Sequence, residues 1–198
     1  MRLPLRIASD DVIPDAIGWL LAVALVALLL TVYLSWTAGR IDRMHARVEA
    51  ARAALDAQRQ RRASVAIEIA VAGVLDPASS VLVADSAHRA RSAAPGQEEL
   101  AENDLTRALV AAFAEPPEPQ DAVEAYEAPG QALLDELFEV GRRLQLARRF
   151  HNDAVRATVA LRGHRVVRWL RLAGHAPAPS AIDFDDSIPP GVDTAAVS

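Results

Sequence analysis

The chain has 198 residues, 12 prolines, no cysteine and a formal net charge of −5 at pH 7. Without cysteine there are no disulfides and no thiolate metal sites. All 21 basic side chains other than histidine are arginine, which excludes P-loop and Schiff-base lysine chemistry.

Residues 1–15 precede an apolar run, residues 16–38, that contains no charged side chain. Roughly 23 residues at about 1.5 Å each exceed the ~30 Å hydrocarbon core of a bilayer. Trp19 lies near one end of the run and Tyr33 with Trp36 near the other, the positions interfacial aromatics prefer. The competing reading is a cleaved secretory signal, with a basic start and an apolar stretch of about 7–15 residues. This stretch is longer and follows Asp10, Asp11 and Asp15, so a retained single-pass anchor in the cell membrane is expected. Only Arg2 and Arg6 precede it, whereas Arg40, Arg43, Arg47 and Arg52 follow closely. The positive-inside rule then puts the N-terminus outside and the domain formed by residues 39–174 in the cytoplasm.

Beyond Gly39, the residues Ile41, Met44, Val48, Ala51, Leu55, Val65, Ile69 and Ala72 follow a heptad seam broken by Gln58 and Arg62. The absence of proline predicts one continuous helix from about Asp15 to Leu75, stopped at Asp76-Pro77. A short helix over residues 79–92 should end at Pro95-Gly96. A third begins at Gln97, Glu98 and Glu99 and presents Leu100, Leu105, Leu109 and Phe113 on one face. Three prolines within residues 115–120 read as an exposed loop. A fourth helix over residues 131–172 carries Leu133, Leu137, Leu144, Ala147, Ala154 and Thr158 at near-heptad spacing, up to Gly174 and Pro177. The acidic tail, residues 175–198, has little to bury and is expected to be disordered. The fold class is therefore all-α: a transmembrane helix continuing into an elongated, coiled-coil-like antiparallel bundle of three to four helices.

Charge is uneven along this path. Over residues 97–139 twelve acidic side chains face only Arg107, and over residues 142–171 nine arginines face only Asp153. The simplest reading is solvated faces with some acidic and basic helices paired inside the bundle. The sharper reading starts from helix one leaving the membrane and helix four descending, which brings residues 160–172 back to the bilayer. Arg162, Arg165 and Arg168, with Trp169, would then contact anionic lipid. Arg62 falls where the seam should be apolar, and a buried guanidinium needs a carboxylate. Asp153 and Asp104 are the candidate partners; alternatively Arg62 extends its head to solvent along its aliphatic stem.

Several segments resemble a known pattern. The run ARRFHNDAVR over residues 147–156 is similar to the ARRFYNDAVR signature of the bacterial LemA family, with His151 in place of tyrosine. LDAQRQRR over residues 55–62 resembles that family's stretch ending in a double arginine, and AENDL over 101–105 its ENxL helix start. Glu124-Ala125-Tyr126 resembles its EAYP turn, with Glu127 replacing proline. The family usually has an Ile-Pro-Asn-Leu kink where this chain has Ala66-Ile67-Glu68-Ile69, so a straighter first helix is expected. The polar run before the signature is likewise changed, to Val140-Gly141-Arg142-Arg143. The resemblance covers residues 18–172 and implies a membrane-anchored helical bundle; it brings no reaction with it.

No other motif supplies a reaction. The Glu-x-x-His pairs of bundle di-metal sites are absent; only Asp42/His45 and Asp85/His88 approach that spacing. There is no G-x-S-x-G, H-E-x-x-H or glycine-rich phosphate loop. Cofactors, metals, catalytic residues and nucleic-acid partners are therefore not expected. Arg62, Arg148, Asn152 and Asp153 are the buried polar or interaction candidates. The leading expectation is a non-enzymatic scaffold or interaction module with protein partners, and homo-oligomers are left open. The alternative is a small-ligand sensor or enzyme using a polar pocket around Arg62, Arg148 and Asp153.

Overall fold

The structure is a computed structural model and describes residues 12–114, 128–163 and 178–190. The helices are α1 (Val12–Val71), α2 (Pro77–Ser92), α3 (Glu98–Ala112) and α4 (Ala128–Arg162). No strand occurs among the described residues. The chain divides into two compact units, residues 1–43 with 161–176 and residues 44–160 with 177–198.

In the first unit, α1 is long and apolar enough to cross a membrane by length and composition. Its apolar side chains over residues 17–33 are bare, with Trp19 74% and Leu20 69% exposed, whereas Ile41 is buried. The helix tolerates Pro14 because proline in the first turn removes an N–H that has no intrahelical acceptor anyway. Thr31 and Thr37 return their hydroxyls to the carbonyls of Ala27 and Tyr33, so these polar groups do not interrupt the helix.

The end of α1 differs from expectation. It stops at Val71, before Asp76-Pro77 is reached. Gly73 takes φ +76, a left-handed exit that glycine adopts without a Cβ clash. Asp76 instead begins the next element: its Oδ1 accepts from the backbone N–H groups of Ala78 and Ser79, and Pro77 opens α2. Hydrogen bonds from Ser79 hold its carboxyl below the ordinary carboxylate value. Ala72, placed on the seam by periodicity, is consequently exposed.

The second unit is a helical bundle. Val48 clusters with Ala154 and Val155, Leu55 with Leu144, and the Ala63–Ile69 stretch with Leu134, Leu137 and Val140. Rising numbers on α1 meet falling numbers on α4, so these helices run antiparallel. Val83, Ala87 and Ala90 of α2 and Leu105, Leu109 and Phe113 near α3 complete the main core. Leu100 does not join that face and is 59% exposed.

The expected disorder of the acidic tail does not hold for residues 178–190, which lie against the bundle, residues 178–189 without regular secondary structure. Phe184 is 5% exposed and packs with Leu55 and Leu144; Ile188 packs on the main core. Apolar residues at 182, 184 and 188 give this strap something to bury, which overrides its acidic composition.

Candidate functional site

The polar centre of the bundle begins with two arginines one helical turn apart on α1. Arg59 and Arg62 are 9% and 2% exposed, and both face Glu102 of α3, which is fully buried. Arg59 Nε donates to Glu102 Oε1 at 3.3 Å and Arg62 Nη1 to Oε2 at 3.4 Å. Arg62 Nη2 also donates to Thr106 Oγ1 at 2.8 Å, and that hydroxyl donates to the carbonyl of Asp185 at 2.6 Å. Arg59 Nη1 reaches Asp56 Oδ1 at 3.2 Å. Burial pushes the Glu102 carboxyl above its ordinary value of 4.5, against the pull of Arg62 and Arg59. The same desolvation lowers the affinity of Arg62 for its proton.

Two expectations for Arg62 are therefore corrected. Its carboxylate is Glu102, not Asp153 or Asp104, and its head does not reach solvent. Asp153 is exposed and pairs with Arg156 one turn on along α4; Asp104 pairs with Arg107. Position explains this. Glu102 lies on the same stripe of α3 as Leu105 and Leu109, three and seven residues on, whereas Asp104 and Asp153 lie off the buried stripes. Its step with Leu105 and Leu109 marks Glu102 as a buried carboxylate on α3, whereas Arg59 lies one position off the heptad seam and carried no such signal.

Arg148 and Asn152 are brought together one turn apart on α4, and both hold the strap. Arg148 grips Asp186 with Nε at 2.7 Å from Oδ2 and Nη2 at 3.0 Å from Oδ1, and adds Asp183 at 3.2 Å. This hydrogen-bonded carboxylate raises the Arg148 pKa. Asn152 pairs with the backbone of Ile182 in both directions: Nδ2 donates to the carbonyl and Oδ1 accepts from the N–H, each at 2.9 Å. Four further side chains read the strap's backbone. Glu99 accepts from Asp183 N–H at 3.2 Å, Asn103 from Asp185 N–H at 2.7 Å, Thr106 donates to Asp185 as above, and Gln145 donates to the Asp186 carbonyl at 2.9 Å. The guanidinium carbons of Arg59 and Arg148 lie 6.0 and 5.7 Å from the centroid of Phe184, close enough for cation–π attraction. Glu99, Thr106 and Gln145 carried no motif and Asn103 only its place in the AENDL run, because their acceptors and donors lie 41 to 84 residues away in sequence.

His151, at the signature position where the resembled family has tyrosine, is 2% exposed, and neither ring nitrogen has a hydrogen-bond partner. Of the two loose Asp-x-x-His pairs, Asp85 is committed to Arg89. Among the described residues no three His, Asp or Glu side chains group as a metal site. The proposed lipid contacts Arg165, Arg168 and Trp169 lie outside the described residues; Arg162 is the last residue of α4.

The arrangement can bind and hold an extended peptide: paired hydrogen bonds to its backbone, a carboxylate clamp and an aromatic socket. No family model, no curated protein and no solved structure matches the chain.

Proposed function

We propose that this chain is a membrane-anchored, non-enzymatic interaction or scaffolding module of the LemA type, whose helical bundle lies on the cytoplasmic side and engages protein partners. The observation that carries the anchored reading is the bare apolar length of α1, with Trp19, Leu20, Leu21 and Val26 each more than half exposed. Such a surface is stable in lipid and costly in water. The interaction reading draws on the polar centre. Arg59 and Arg62 are met by Glu102, Arg148 by Asp183 and Asp186, and the chain's own strap fills the space beside them. The alternative of a small-ligand sensor or enzyme has its polar pocket around Arg62, Arg148 and Asp153, and it is the less supported because Asp153 is exposed and paired with Arg156.

Orientation follows from Arg40, Arg43, Arg47 and Arg52 after the apolar run against Arg2 and Arg6 before it. Fusions at the C-terminus are expected to be active with a cytoplasmic reporter and silent with one that works only outside; the reverse pattern overturns the orientation. In the same reading Arg162, Arg165, Arg168 and Trp169 contact anionic lipid, each arginine contributing on the order of 1 kcal/mol. A photoactivatable anionic lipid in nanodiscs should label the intact chain strongly and the Arg162→Glu, Arg165→Glu, Arg168→Glu variant weakly. Equal labelling would leave those arginines as a solvated helix end.

A further inference from the structure

The strap is held in a way that bundle cores do not require. Six hydrogen bonds run between bundle side chains and its backbone atoms, from Asn152, Glu99, Asn103, Thr106 and Gln145. Backbone atoms are common to all peptides, so these contacts recognise an extended chain without regard to its sequence. Selectivity lies at three points. Phe184 enters a socket formed with Leu55, Leu144 and Ala147. Asp186 is gripped bidentately by Arg148, a geometry that discriminates a carboxylate from other side chains. Ile188 rests on α4 at Gly141, where a Cβ would stand 3.2 Å from Ile188 Cγ1. Between these points Asp183, Asp185 and Ser187 face outward. An open depression lined by Leu100, Asn103 and Arg107 continues beside Asp183, Phe184 and Asp185.

We propose that this groove is a peptide-recognition site whose resident occupant, residues 182–188, exchanges with a partner protein's extended segment of the same chemistry: apolar, Asp, aromatic, then two acidic residues. Covalent linkage makes the resident segment an intramolecular competitor, so a partner engages by displacing it. The strap has no backbone ladder to another strand and contributes two large apolar anchors, Phe184 and Ile188, to an otherwise helical core. Its release uncovers Leu55 and Leu144 but leaves the contacts of Ala63–Ile69 with Leu134, Leu137 and Val140 in the main core. The inference goes beyond the anchored-module reading and does not depend on which side of a membrane the bundle occupies.

The test uses the full chain in detergent micelles or nanodiscs and a labelled synthetic peptide with the sequence of residues 179–190. Two opened forms are compared with the parent: a chain lacking residues 178–198, and a full-length chain carrying Phe184→Ala and Asp186→Ala. The peptide is expected to bind both opened forms saturably, and the parent at least about tenfold more weakly because its competent state is a minor one. A peptide with alanine at the Phe184 position should lose binding, as should an opened chain carrying Arg148→Ala and Asn152→Ala or Gly141→Leu. An opened chain with parental helicity that ignores the peptide, or binds the alanine peptide equally, overturns the proposal. If neither opened form folds, the parent decides. A nitroxide on Ser187→Cys, in a chain with no other cysteine, should become mobile at saturating peptide. An unchanged spectrum overturns it.

Discussion

Glu102 is the carboxylate on which two buried guanidinium groups depend, and its burial has measurable consequences. Removing one partner of a buried pair leaves an uncompensated charge, a loss of about 3–5 kcal/mol. Arg62→Met should incur part of that loss at neutral pH, because Glu102 then keeps only Arg59. The sign with pH follows from the raised carboxyl. The folded state binds the Glu102 proton more tightly than the unfolded state, so its contribution is most favourable below the ordinary value of 4.5 and declines as pH rises through the folded value. Losing Arg62 raises that carboxyl further, so the Arg62→Met penalty should shrink in acid and grow towards neutrality. Adding Glu102→Leu should recover only part of the loss, since an apolar pair replaces Arg62 and Glu102 but leaves the buried Arg59 with Asp56 alone. Chemical denaturation of the three proteins across pH checks this; a pH-independent penalty would refute it. His151 offers the opposite case. Two buried ring nitrogens without partners hold a desolvation cost of about 1–3 kcal/mol per unsatisfied group. His151→Leu should accordingly raise the denaturation midpoint, and a lowered midpoint would show that packing around the ring outweighs its polarity.

Among the elements, the connection between α1 and α2 shows how local chemistry overrides periodicity. Heptad spacing extends to Ala72 and proline blocks helix only at Asp76-Pro77, yet α1 ends at Val71. Gly73 supplies the left-handed residue that lets the chain leave, and Asp76 supplies acceptors for the first N–H groups of α2. Nothing lies within 4 Å of a Cβ built at Gly73, so Gly73→Ala should cost only the backbone term of about 1–2 kcal/mol. Gly73→Asn should cost less, because asparagine tolerates that region. Thermal melts of the two variants test the order; equal stability of alanine and glycine would mean the turn shifts without cost. The strap makes the same point in reverse. Its acidic residues read as a segment with nothing to bury, but Phe184 and Ile188 find α4 positions that accept them.

For the whole molecule, α1 is long and apolar enough to cross a membrane, and its exposed apolar surface makes that testable. If it spans a bilayer, charges at its middle oppose insertion by about 2.5–3.5 kcal/mol each. The parent should remain with membranes through alkaline carbonate extraction, and Val23→Arg with Val26→Arg should release a large fraction of it. Complete extraction of the parent would refute anchoring. The exposure of both side chains, 61% and 63%, means that the same double variant should leave the thermal stability of the bundle unchanged.

Helix identity was legible in the residues alone, because period and punctuation are local. The apolar run before Gly39, the seam through Val48, Leu55 and Ile69, the acidic start of α3 and the near-heptad spacing of α4 all report on neighbours within a few turns. The polar break at Arg62 was legible too, though a buried pair and a head extended to solvent were both open for it. Which carboxylate answered it was not legible, since Glu102 meets Arg62 across 40 residues and only the packing of α3 against α1 selects it over Asp104. The role of Arg148 and Asn152 was hidden for the same reason: the residues read as polar interaction candidates, but their partners are backbone and carboxylate groups of a tail whose composition reads as disordered. Burial of Phe184 between two helices is a property of the assembled groove, and it is the tertiary structure that turned an acidic tail into a ligand.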